Sequence, residues 1–310
     1  RGAWWAVDGQ LTWSGHEDHD LVMGLRLRRD PRLNYRYDAF DGSQVVSSMS
    51  REQASASVED RWRLNDQLAL TLGVRLDQRS GPGRAWSPRN ALVWTPSPGL
   101  EVKWSQGMTT RFASAAEEGF GMAPQPRGER VQNRELGVAW QRDSLRLLAT
   151  TYHWKMTDLL QFGAEPTQRY LHGDGLEFEG EWQAGGWRLR GSHAWQRPQD
   201  DQGRMLPLAP RTLSKLHVSA PLSGERVRLS GALRHVGPQE AVTPGQRIDG
   251  FTRVDVTLLA QRVAGPFDLR VGVRNLGGAL AREQDEILTD PALRSRPSRH
   301  AWVELTGSFR

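Results

Sequence analysis

The 310-residue sequence predicts an all-β protein, an antiparallel up-and-down transmembrane β-barrel wall of about fifteen strands. Three observations predict it. Apolar and polar residues alternate with period two in segment after segment, each near the ~10 residues that a tilted strand needs to cross a bilayer. The joins between segments alternate between tight and long. Tryptophans gather beside the tight joins. No segment of comparable length carries a 3.6-residue period, and no apolar run reaches the ~18 residues of a membrane helix.

The elements follow one another in the same style. A first pair of strands turns over residues 15–20, which include His16-Glu17-Asp18-His19. After the tight join Asn65-Asp66, Leu68, Leu70, Leu72, Val74 and Leu76 alternate with Ala69, Thr71, Gly73, Arg75 and Asp77. Residues 89–94 and 100–105 make a hairpin around Pro96-Ser97-Pro98-Gly99, with Leu92, Trp94, Leu100, Val102 and Trp104 on one face. Glu177, Glu179 and Glu181 precede Ala184-Gly185-Gly186, and Arg188, Arg190 and Ser192 follow it. Val254, Val256 and Leu258, then Leu269, Val271 and Val273, then Val303 and Leu305, close the series. Joins at 65–66, 96–99, 142–144, 184–186, 221–224 and 263–266 are tight, and those at 30–50, 78–87, 108–128, 161–169, 197–209, 238–249 and 278–298 are long. Short turns at one rim and long loops at the other are the habit of a membrane barrel, and closing the sheet removes exposed edges.

The faces agree with this. Trp13, Trp62, Trp94, Trp140, Trp182 and Trp187 stand beside short joins, where an indole girdle would meet the membrane–water interface. The other face is charged. If Trp182 stands opposite Trp187, then Glu181 faces Arg188 and Glu179 faces Arg190 on a wet interior, while outward charge at mid-bilayer would cost about 2–4 kcal/mol. A register slip of one residue would put both charged rows into lipid.

Composition excludes more than it selects. The excess of 41 Lys and Arg over 36 Asp and Glu, a net charge of +5, is too mild and too dispersed for a nucleic-acid surface. With zero Cys, disulfides and thiolate metal sites are excluded. No GxSxG, phosphate-loop or zincin motif is present, so no enzyme and no cofactor is expected. His16-Glu17-Asp18-His19 has metal-ligand chemistry, but a polar turn explains it as well. Asp200-Asp201 and Asp285-Glu286 fit solvated loop charge better than a calcium site, which needs ~6–8 oxygens. Gly119 and Gly121 flank Phe120 in a glycine-rich loop without the spacing of a phosphate cradle.

Several stretches together resemble TonB-dependent outer-membrane receptors. These are "WRLNDQLALTLGVRLDQRSG", "SPRNALVWTPSPGLEVKWSQGMTTRF", "ERVQNRELGVAW", "LHGDGLEFEGEW", "LPLAPRTLSKLHVS" and "VGVRNLGG", in family order over essentially the whole chain. Ala113 follows Arg111-Phe112 where the family usually has Pro. The resemblance implies the C-terminal part of a barrel of ~22 strands with a plugged lumen. It implies a single barrel domain over residues 1–310, with the plug and first strands preceding Arg1. It implies residence in the bacterial outer membrane, outer-membrane lipid and the TonB energy-transducing complex as partners, and active uptake of a small-molecule ligand such as a ferric siderophore. A passive porin-like channel of ~14 strands would share the same patterning. The expected ligand contacts lie in the loops 30–50, 78–87 and 108–128: Tyr35, Tyr37, Phe40, Arg84, Trp86, Arg111, Phe112 and Phe120. Aromatic faces and guanidiniums suit an anionic, aromatic iron chelate, though the same residues also serve as interface anchors.

Overall fold

The computed structural model describes residues 2–38, 44–81, 83–114, 117–118, 128–160, 170–224, 226–279, 282–283, 294–295 and 299–308. Its strands are β1 (Gly2–His16), β2 (His19–Asp38), β3 (Gln44–Asn65), β4 (Leu68–Arg79), β5 (Arg84–Ser97), β6 (Leu100–Arg111), β7 (Glu129–Arg142), β8 (Leu145–Thr157), β9 (Tyr170–Ala184), β10 (Trp187–Asp200), β11 (Thr212–Ser223), β12 (Val227–Val236), β13 (Gln239–Glu240), β14 (Arg247–Ile248), β15 (Phe251–Ala264), β16 (Phe267–Arg274), β17 (Arg282–Glu283), β18 (Arg294–Ser295) and β19 (His300–Gly307). Fifteen of them form one antiparallel sheet in chain order, from β1 to β12 and on through β15, β16 and β19. The pairs β13–β14 and β17–β18 are two-residue ladders in the joins.

By contact, the chain divides into two compact units: residues 1–136, 152–173 and 199–203, and residues 137–151, 174–198 and 204–310. In the first, Leu70 lies between Trp62 and Leu92, and Leu92 pairs with Trp104, a continuous apolar row on one face. In the second, Ala220, Leu229, Leu258, Val271 and Val303 make an equivalent row. These rows are uncovered: Leu72 is 51% exposed and Val303 70%. Among the described residues the buried apolar side chains are few, Ile248 the most enclosed. An apolar face of this extent would not stay open to water, so it requires a hydrocarbon neighbour.

The opposite face carries paired charges. Arg89 reaches across the middle strand to Glu59 over Gly73, where a Cβ would lie 3.1 Å from both side chains. Arg75 grips Asp77, which also accepts from Ser55. In the second unit Arg270 meets Glu304 at 3.1 Å.

Three expectations need correction. The join expected over 30–50 is mostly strand, because β2 and β3 stay paired as far as Asp38 and Gln44. The ladder slips between Asp30 and Leu33, where Pro31 has no N–H to donate, and then resumes. Likewise the join expected over 78–87 shrinks to residues 80–83, since Arg84 and Trp86 continue the ladder with Gln78 and Leu76. The third correction is the register of the β9–β10 hairpin. Gly185 and Gly186 both have positive φ, +56° and +79°, the geometry of a two-residue hairpin turn. Ala184 therefore stands opposite Trp187, and Arg190 pairs with Glu181 at 3.0 Å instead of Glu179. The slip is two residues, so every side chain keeps its face.

Leu72→Arg should lower the yield of protein folding into lipid vesicles, at a cost of about 2–4 kcal/mol, while Leu72→Ala folds nearly as well as the parent. Heat-modifiable gel mobility reads the folded fraction.

Candidate functional site

On the polar face of the first unit, at the end away from the tight turns, the join after β6 meets residues of β3 and β4. Arg51 on β3 and Arg79 on β4 project to the same side as Gln53 and Ser55. The join after β6 crosses over and delivers Glu118 between them. Arg51 Nη2 donates to Glu118 Oε2 at 2.8 Å, and Arg79 Nη2 donates to the other carboxylate oxygen. Arg79 also donates to the Ala113 carbonyl at 2.7 Å and lies over the Phe112 ring, 5.2 Å from its centre. Both guanidiniums are nearly enclosed, 11% and 14% exposed, and Glu118 is 22% exposed.

Local sequence explains why the acid arrives there. Ser114-Ala115-Ala116-Glu117 is a capping box. The Ser114 N–H donates to Glu117 Oε2 at 2.7 Å, and the Glu117 N–H donates to Ser114 Oγ at 3.3 Å. Glu118 N–H then bonds the Ser114 carbonyl, one helical turn. Arg111 fastens the base of this strap by ion pairs to Glu117 and Glu129. Gly128, at φ +71°, returns the chain to β7 where a Cβ would strike the Arg111 carbonyl at 2.8 Å. Burial would raise the Glu117 carboxyl pKa, but the Ser114 N–H and Arg111 outweigh it, and the group lies below its usual 4.5.

The second unit has its own cationic row. Ser192, Lys215, Arg234 and Arg253 stand directly opposite one another on four strands of the polar face. Arg253 is held by Asp255 at 2.7 Å. Among the described residues, Lys215 and Arg234 have no carboxylate partner, although like charges directly opposite destabilise a sheet.

The residues nominated from sequence are distributed as follows. Phe112 belongs to the cluster, and Arg111 is committed to holding the strap. Trp86 pairs with Leu76, shares its apolar face and is 55% exposed, and Arg84 lies on that side too. Tyr35 and Tyr37 sit on the extended hairpin, opposite Ser47 and Val45. Phe40 and Phe120 lie outside the described residues, as do Asp285 and Glu286. Arg51, Arg79 and Glu118 were not nominated; the capping box at 114–117 was the available signal. At the first turn His19 bonds Asp60 at 2.8 Å and stacks on Trp62. Among the described residues no group of three or more side chains is set to hold a metal. Asp200 accepts from the Gln202 N–H, ordering a turn.

Comparison with known proteins decides the family. The model of the TonB dependent receptor-like β-barrel matches residues 1–276. The chain belongs to the TonB-dependent receptor family. A search of curated proteins found no relative of it. Among solved structures, it is similar to the ferric enterobactin receptor PfeA of Pseudomonas aeruginosa, with TM-score 0.80 and 17% identity over 99% of this chain and 54% of that one. The ferric yersiniabactin uptake receptor FyuA of Yersinia pestis gives TM-score 0.78 and 17% identity over 97% and 54%. The copper transporter OprC gives 0.77 and 17% over 99% and 57%. The chain thus spans little more than half the length of these receptors. At such identities they share its fold, that of outer-membrane β-barrels.

The strap yields a prediction with a definite pH sign. Because the folded Glu117 lies below 4.5, its contribution is fully present above that value and fades only as pH falls through the folded pKa. A nitroxide at Ala115→Cys, unique in a chain without cysteine, should therefore show constant mobility from pH 7 to 5 and rising mobility below 4.5. Adding Ser114→Ala should raise mobility already at pH 7, for a loss of about 1 kcal/mol of capping.

Proposed function

We propose that this receptor takes up an anionic ligand, a ferric siderophore, across the bacterial outer membrane, with energy from the TonB complex. On this reading the apolar face meets outer-membrane lipid, and the polar face lines the path of the ligand. The observation that carries the ligand class is the concentration of guanidiniums at the loop-bearing end of the polar face. Arg51 and Arg79 converge there beside Phe112. The unpaired Lys215 and Arg234 offer a second cationic stretch on the same kind of face. Guanidiniums give paired, charge-assisted hydrogen bonds to anions, and aromatic rings stack on chelate rings. The names of PfeA and FyuA, both ferric siderophore receptors, favour the same class; OprC shows that the fold also serves a metal of another kind.

Within this reading Tyr35, Tyr37, Phe40, Phe112 and Phe120 are the aromatic contacts, and Arg51 and Arg79 the ionic ones. Arg111 acts by positioning the strap. Trp86 and Arg84, on the apolar side, anchor the hairpin at the outer interface.

The test uses the full-length receptor in an iron-starved Gram-negative host deleted for its own siderophore receptors. Uptake of radioactive iron is measured across a panel of ferric siderophores. At least one anionic ferric chelate should be accumulated, and accumulation should vanish when TonB is deleted. Iron entry that persists without TonB, or steady ion conductance in planar bilayers, would speak for a passive channel instead.

A further inference from the structure

Glu118 is a carboxylate held by two arginines that it does not neutralise. The arginines stand on paired strands, with Arg51 in register with Asp30 and Arg79 with Gln53, so their positions are fixed by the ladder. The carboxylate comes from a join, on a single helical turn closed by its own capping box. A rigid cation pair and an anion on a strap form an arrangement in which the anion can be exchanged. Arg79 is also fastened to the base of the strap by the Ala113 carbonyl and the Phe112 ring, so an anion that takes the carboxylate's place frees the turn at Glu118 while that base stays tied.

We propose that Arg51 and Arg79 form an anion-binding site which Glu118 occupies as a built-in competitor, and that a ligand's anionic group displaces it and frees the turn at Glu118 from the two arginines. The inference rests on the uptake reading for its natural ligand, a catecholate, carboxylate or phosphate group, but the site itself does not. An exposed latch between a single arginine and a single acid would have no such consequence, because removing the acid leaves one solvated cation. Here it leaves two guanidiniums converging on one vacated position.

The experiment takes the purified full-length receptor and inorganic pyrophosphate as the probe, with chloride at matched ionic strength as the control. Glu118→Gln keeps the shape and removes the charge. It should bind pyrophosphate at least tenfold more tightly than the parent by calorimetry. In the parent, saturating pyrophosphate should raise the mobility of the Ala115→Cys nitroxide, which chloride should not. Arg51→Gln with Arg79→Gln should abolish both effects, and the Lys pair at the same positions, which guards against simple misfolding, should keep part of the binding. Equal pyrophosphate affinity in the parent and Glu118→Gln, or a strap indifferent to the anion, would overturn the proposal and leave Glu118 a structural tie. A second arm separates the two claims. Uptake of an anionic ferric tris-catecholate is compared with that of a neutral ferric tris-hydroxamate in parent and Glu118→Gln cells. If pyrophosphate competes as expected but neither chelate is taken up, the anion site stands and the siderophore reading falls.

Discussion

A backbone surrounded by hydrocarbon must satisfy every N–H and C=O from within, and the rest of this structure depends on that constraint. Strands meet it only if each is paired on both sides. The chain accordingly runs up and down, each strand beside its predecessor, so that pairing partners are always a short turn or one loop away. Once the backbone is settled in this way, side chains have just two directions, and period two follows. One direction is mainly apolar, in rows such as Ala220, Leu229, Leu258, Val271 and Val303, with Asp60 and Asn90 opposite Leu72 among its exceptions. The other is free to hold charge, and it does so in short-range pairs such as Arg75 with Asp77 and Arg190 with Glu181.

Partly exposed pairs of this kind contribute little stability one by one. Their consequence is register. Arg89 can reach Glu59 only because Gly73 leaves the middle strand bare between them, so one glycine links three strands. Where the pairing is deliberately incomplete, as at Lys215 and Arg234 or at the two arginines sharing Glu118, the cost of like charges at close range points to a use for the surplus.

The fold was legible in sequence because its signals are local: alternation along each strand, punctuation by Pro and Gly, tryptophan beside the tight joins. What was missed depended on geometry that alternation does not encode. The β9–β10 register turned on whether the turn takes two residues or three, and the positive φ of both Gly185 and Gly186 selects two. The hairpin beyond Asp30 looked like a loop because its residues are polar, yet the two strands stay paired there as far as Asp38 and Gln44. The candidate site was harder still. Arg51, Arg79 and Glu118 are 28 and 39 residues apart in sequence, and only the crossing of the β6–β7 join unites them. Trp86 was assigned to a ligand by its loop, whereas its parity along β5, shared with Leu92 and Trp94, places it on the apolar face.

The central claim is that one face of every strand meets lipid and the other meets water. Cysteine scanning of β4 in intact outer membranes tests it directly, since the chain has no cysteine of its own. Single cysteines are placed in turn from Ala69 to Leu76 and exposed to a charged, membrane-impermeant maleimide. Labelling should alternate with period two, fast at Thr71 and Arg75 and slow at Leu70, Leu72, Val74 and Leu76, with Gly73 left out because the Arg89–Glu59 pair covers it. Labelling of equal speed at all positions, or fast labelling at the leucines, would contradict the account.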